Sequence, residues 1–142
     1  DVDSFFVDMP ARLADCHLMI CRAGASTMAE LTNVGRPAVL VPYPHAMDDH
    51  QSANAEAAGA EGAAWIMPQP AFTVTALASR LEMLLSLPER LTTAAKVSHR
   101  LGRPDAAERL ADLVLEIANR QVSREHVNAD TAAAAGLERR AN

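Results

Sequence analysis

Leu18-Met19-Ile20-Cys21-Arg22-Ala23-Gly24-Ala25-Ser26-Thr27-Met28-Ala29-Glu30 is the stretch on which the fold turns. Its first four residues are continuously apolar instead of alternating, the signature of a short strand buried on both faces. Gly24 marks a turn, and Ser26 to Val34 has helical composition, closed by Gly35 as a C-terminal stop. Downstream, Ala38-Val39-Leu40-Val41 repeats the buried-strand pattern and ends at Pro42 and Pro44. A polar loop from Tyr43 to His50 leads into a helix from Gln51 to Ala58, whose end Gly59 and Gly62 bracket. Ala63-Ala64-Trp65-Ile66-Met67 makes a third strand. Upstream lie the apolar run Phe5-Phe6-Val7, read as the last strand of an earlier segment, and a helical stretch from Met9 to Asp15.

Strand, helix, strand, helix, strand with short links predicts βαβ units in a parallel sheet with right-handed crossovers. After Pro70 the pattern is helical only. Leu77, Leu81, Leu84 and Leu85 recur at helical spacing, followed by Leu91 to Leu101 and Ala106 to Ala118. In the last of these, Leu110, Leu113, Val114 and Ile117 are expected to face inward. Pro88 and Pro104 stand where helices should start. The fold class is therefore α/β: a Rossmann-like parallel sheet with flanking helices, followed by C-terminal helices. Residues 1–120 read as one domain and 121–142, with its Ala132–Ala135 run and no apolar face, as a flexible tail.

The bulk numbers agree with one domain. The chain has 142 residues, 49% hydrophobic and 22% charged, which is ordinary for a globular protein. Aromatics supply only 4% and alanine is the commonest residue, a poor basis for a stacking platform for single-stranded nucleic acid. A net charge of −5 also argues against a nucleic-acid partner. No apolar run reaches the roughly 18–20 residues of a membrane span. Asp1-Val2-Asp3-Ser4 is not the start of a signal peptide, and Cys16 and Cys21 read as reduced core cysteines of a cytoplasmic protein. The missing initiator Met gives the sequence the look of a chain cut from something longer.

In open α/β sheets ligands bind beyond the carboxyl ends of the strands. Two stretches fall there. In the first, Gly24 and Ala25 leave the backbone bare for close approach, and the amides of Ala25, Ser26 and Thr27 lead a helix N-terminus, where an anion is favoured. Glu30 lies one turn along, on the face shared with Ser26 and Thr27. A carboxylate there suits a vicinal diol one ring from a phosphate, so the pair describes a nucleotide. Ser or Thr followed by Glu is equally an ordinary capping box that needs no ligand, and the local pattern does not choose between them. The second stretch, His45 to Asn54, offers amide and carboxylate groups suited to sugar hydroxyls. Its His45-x-x-Asp48-x-His50 order lacks a third firmly spaced ligand, so no metal site is expected. Asp49 beside His50 is a formal acid–base pair that the spacing does not single out.

With both stretches in place, the sequence resembles the C-terminal, donor-binding domain of the MurG family, the N-acetylglucosaminyltransferases of glycosyltransferase family 28. The resemblance runs from Phe5 to Ala118. It is carried by Asp8-Met9 through Ala14-Asp15, Leu18 to Glu30, Gly35-Arg36-Pro37-Ala38, Val41-Pro42-Tyr43-Pro44-His45 and Asp48 to Ala55. It implies the C-terminal half of a GT-B fold that holds UDP-N-acetylglucosamine. By the resemblance, Gly24, Ala25, Ser26 and Thr27 would hold the diphosphate and Glu30 the ribose diol. Gln51 with His50 would reach the N-acetylglucosamine ring, Asn54 would steady the loop or the sugar, and Arg22 would orient the first loop or lie near the diphosphate.

The implied reaction is an inverting transfer of N-acetylglucosamine to lipid I, giving lipid II in peptidoglycan synthesis. It uses no metal or other cofactor. The family's catalytic base belongs to an N-terminal domain outside these residues, so no catalytic residue is expected here and the chain alone should be inactive. The resemblance also implies lipid I as a partner through that domain, and peripheral association with the cytoplasmic face of the inner membrane. Two alternatives share the pattern: a stand-alone nucleotide-sugar-binding subunit of a split transferase, and a UDP-N-acetylglucosamine 2-epimerase-like GT-B protein.

Overall fold

The computed structural model describes residues 1–120, with the backbone alone for Met47. The flexible tail expected over 121–142 lies outside the described residues. These residues belong to two compact units, one spanning Asp1–Arg103 and the other beginning at Pro104.

In the first unit the elements run α1 (Met9–Asp15), β1 (Met19–Cys21), α2 (Ala25–Val34), β2 (Ala38–Leu40), α3 (His50–Glu61), β3 (Ala64–Ile66), α4 (Val74–Leu85) and α5 (Pro88–Leu101). The strands form a parallel sheet in the order β1-β2-β3, with Ile20 opposite Val39 and Val39 opposite Trp65. Bonds from Val41 N–H to Cys21 O (2.8 Å) and Met67 N–H to Leu40 O (2.9 Å) carry the ladders one step past the strands.

β2 is buried throughout because it is central and covered on both faces. Ala38 and Leu40 join Leu13, Leu31, Ala55 and Ala58 in one core, while Val39 packs with Met67 and Leu84 in another. Alternate side chains of a strand point to opposite faces, so this division places helices on both sides of the sheet. The abundant alanine sits at these contacts: Ala23, Ala38, Ala55, Ala58, Ala63 and Ala64 are all buried, letting helix and sheet backbones approach closely.

Three sequence expectations change. Phe5-Phe6-Val7 is not a strand; Phe5 and Val7 are 75% and 88% exposed. A strand exists only through pairing, and among the described residues β1 is laddered to β2 alone. Gly59 lies inside α3 instead of ending it: a Cβ there would come within 3.1 Å of Ile66 Cδ1, so close packing on β3 accounts for the glycine, and the helix ends at the left-handed Gly62. In the second unit, a helix over residues 106–120 (α6) forms as expected, but Leu110, Leu113, Val114 and Ile117 are 51–62% exposed instead of inward. Among the described residues this unit holds only that helix, and one helix cannot bury its own apolar stripe.

Candidate nucleotide site at the carboxyl rim

The β1–α2 turn is an open helix start. Gly24 is the N-cap of α2, with no side-chain cap, and the first ladder bond runs from Met28 N–H to Gly24 O at 2.9 Å. The N–H groups of Ala25, Ser26 and Thr27 therefore precede the ladder and face out of the N-terminus. A capping box is not formed: Ser26 and Thr27 lie inside the first turn, and Glu30 lies beyond it. Gly24 has ordinary dihedrals (φ −66°, ψ 149°), and an added Cβ would meet only Thr27 Oγ1, at 4.0 Å. Neither backbone conformation nor internal packing requires glycine there.

Glu30 is exposed and has no hydrogen-bond or ion-pair partner among the described residues. It stands at a groove of about 220 Å³ whose other walls are Met9, Pro10 and Leu13 of α1 and Asn33 and Val34 of α2. This α1 wall is what sequence reasoning missed. The only signal was the helical pattern of Met9 to Asp15 just ahead of β1, and it carried no hint of which face would meet α2.

The second rim stretch is tied to the first by two side chains, Arg22 and Asn54, and braced internally by a third, Gln51. Arg22 Nη1 donates to Val41 O (3.1 Å) and Pro42 O (3.2 Å), and its guanidinium lies 5.5 Å from the Tyr43 ring centroid. Gln51 Oε1 accepts from Tyr43 N–H at 3.0 Å, which leaves its NH₂ group as the donor end. Asn54 Nδ2 donates to Ala23 O at 3.0 Å. Arg22 and Asn54 thus hold loop backbone, and Gln51 does so with one end of its amide. His50 opens α3 immediately after two left-handed residues, Asp48 (φ 52°) and Asp49 (φ 51°). Short aspartate side chains tolerate that conformation, at about 1–3 kcal/mol of backbone strain each. The strained pair reverses the chain so that α3 starts at the rim. Among the described residues no three His, Cys, Asp or Glu side chains gather as a metal-ligand set.

Two groups titrate away from their ordinary values. The hydrogen bond from Arg12, 2.8 Å from Asp8 Oδ1, holds the Asp8 carboxyl low against an opposing effect of burial. Burial pushes the Cys21 thiol up to about 11, aided by the nearby Cys16. Cys21 is therefore a neutral thiol at the foot of the rim, consistent with a packing role.

A family model described as the glycosyltransferase family 28 C-terminal domain matches residues 1–110. The chain belongs to this family. Among family relatives, the chain is 66% identical over 111 residues to a Rhodospirillum centenum protein, covering 78% of this chain and 29% of that one. It is 60% identical over 114 residues to one from Paramagnetospirillum magneticum, covering 80% and 31%. Both are named UDP-N-acetylglucosamine–N-acetylmuramyl-(pentapeptide) pyrophosphoryl-undecaprenol N-acetylglucosamine transferase. The crystal structure of Acinetobacter baumannii MurG superposes with a TM-score of 0.74 at 37% identity, covering 82% of this chain and 33% of that one. The family 28 chain described here thus spans about a third of the length of these relatives.

The fold matches the Rossmann-like C-terminal half of that transferase structure, so the expected fold class holds. Among the described residues no helix is long and apolar enough to cross a membrane.

Proposed function

We propose that this chain is the donor-binding part of an inverting glycosyltransferase that moves N-acetylglucosamine from UDP-N-acetylglucosamine to lipid I. The observation that carries the reading is the pairing of an uncapped α2 N-terminus with an unpartnered Glu30 one turn along it, at the mouth of an apolar groove. The diphosphate sits on the amides of Ala25, Ser26 and Thr27, Glu30 accepts from the ribose hydroxyls, and the groove between α1 and α2 takes the base. His50 and the free amide end of Gln51 face the sugar, while Arg22 and Asn54 hold the two loops that present them.

Chemically, such a site works on the leaving group. Charge builds on the β-phosphate as the anomeric carbon–oxygen bond breaks, and preorganised amides at a helix start stabilise it without reorganising. Glu30 and Gln51 position the donor. The base that takes the proton from the acceptor hydroxyl is not among these residues, so the chain alone binds donor without turning it over. No metal enters the proposal. Lipid I reaches the site through a further acceptor-binding part, and the assembled enzyme works as a peripheral protein on the cytoplasmic face of the membrane.

Hydrogen exchange of the chain with and without UDP-N-acetylglucosamine tests this. Protection is expected at residues 25–30 and in α1, and Glu30→Ala should weaken binding about tenfold, the worth of one charge-assisted pair of hydrogen bonds. Unchanged affinity in that variant would remove the ribose assignment.

A further inference from the structure

We propose that Arg36 is a positioning residue for the nucleoside end of the donor, setting the width of the groove at Glu30 by bracing α1 against α2. The inference rests on the reading of that groove given above and assigns a residue that does not line it.

The main chain of Arg36 is pinned at both ends. Its N–H donates to Leu31 O at 2.8 Å, and its carbonyl accepts from Ser98 Oγ at 3.0 Å. The same hydroxyl, fully buried, shares its one proton with Leu31 O at 3.3 Å. The root of the side chain is thereby fixed to the C-terminus of α2 and to α5. From there the guanidinium reaches α1: Nε donates to Leu13 O at 2.5 Å and Nη2 donates to Ala14 O. These are last-turn carbonyls, which have no donor within their own helix and lie at its negative end.

α1 needs such a brace. Seven residues are far too few for a helix to persist on its own propensity. Its other polar contacts, Arg12 with Asp8 and Asp1 and the Cys16 thiol on Leu13 O, all stay within residues 1–16 and give no position relative to α2. Leu13 is the only buried residue of α1, and its carbonyl is the one Arg36 Nε holds while its side chain forms a groove wall. One residue thus joins the brace to the site. Glu30, Asn33 and Val34 come from α2 itself, so their position does not depend on the guanidinium, and neither do the amides at the far end of that helix.

That asymmetry supplies the test. Arg36→Met keeps the aliphatic stem and removes both donors; Arg36→Lys keeps the charge with a single point of attachment. The 142-residue chain and both variants are titrated with UDP and, separately, with inorganic pyrophosphate, following the backbone amide shifts of residues 25–27, with cooperative thermal unfolding confirming the fold. Arg36→Met should weaken UDP binding about tenfold and Arg36→Lys about threefold, while pyrophosphate binding stays within about twofold. If wild type binds both ligands and the variants lose both equally, or lose neither, the bracing role is wrong and the donor reading stands. If wild type binds neither ligand, the donor reading itself fails and this inference falls with it.

Discussion

Asn54, on the second turn of α3, donates through Nδ2 to the carbonyl of Ala23, a fully buried residue in the loop between β1 and α2. The bond links residues 31 positions apart and makes one rim element responsible for the shape of another. Removing the donor leaves a carbonyl in a dry place without its partner, which costs about 1–3 kcal/mol. Asn54→Ala should therefore lower the urea midpoint by the equivalent of about 2 kcal/mol. Asn54→Asp should cost at least as much, since it sets a carboxylate oxygen against a carbonyl. An unchanged midpoint in both would mean that the loop holds its shape unaided.

Gly24 separates access from folding. Its dihedrals suit any residue and its Cβ position is open on the protein side, so Gly24→Ala should leave thermal stability within about 0.5 kcal/mol of wild type. Gly24→Val adds bulk on the outside, where the proposed diphosphate approaches, and should weaken UDP binding more than tenfold while the fold persists. Equal UDP affinity in the valine variant would show that the ligand does not pass over this residue.

Why Gly24 and Glu30 were legible in the sequence, while Arg36 and the α1 wall were not, is a matter of range. The helix start and the carboxylate one turn on are fixed by spacing within a single element, which the sequence states directly; that the amides stay uncapped is decided by the structure, since the same residues could have formed a capping box. β2 was readable for a related reason: an unbroken apolar run can only be a strand covered on both faces or a piece of buried helix, and flanking Pro37 and Pro42 exclude the longer element. The groove needs Leu13 of α1 to meet Val34 of α2, and the brace needs Arg36 to reach back 23 positions in the chain to Leu13. Such contacts depend on how elements pack, and periodicity within each element does not encode them. Phe5-Phe6-Val7 failed in the opposite direction: its composition suits a strand, but pairing partners are not a property of the segment.

Gly35 illustrates a glycine required twice over. It closes α2 in the left-handed region at φ 72°, with its N–H on Leu31 and Thr32 carbonyls, and a Cβ there would stand 2.8 Å from His99 Cβ on α5. The left-handed penalty and the overlap act together, so Gly35→Ala should destabilise by about 2–4 kcal/mol. Gly35→Asn relieves part of the backbone term but not the clash. His99→Gly in the alanine background removes the opposing Cβ and should recover the steric share, measured as a non-additive double-mutant cycle. Strict additivity would place the whole cost in the backbone.

Cys21 gives the chain a dependence on alkaline pH. Its thiol is pushed up to about 11 from an ordinary value of 9.0, chiefly because the folded state withdraws it from water. With the folded value above the unfolded one, the stabilising contribution is complete below pH 9 and is lost as pH rises toward 11, because only the unfolded chain can ionise in that interval. Cys21→Ala removes the titration along with some packing. The stability advantage of wild type over this variant should be constant from pH 6 to 8 and shrink steadily between about pH 9 and 11. Denaturant midpoints of the two proteins across that range check it, and parallel curves would show that the thiol ionises as readily folded as unfolded. The same thiol should react slowly with iodoacetamide at pH 8, since the attacking thiolate is scarce in the folded state.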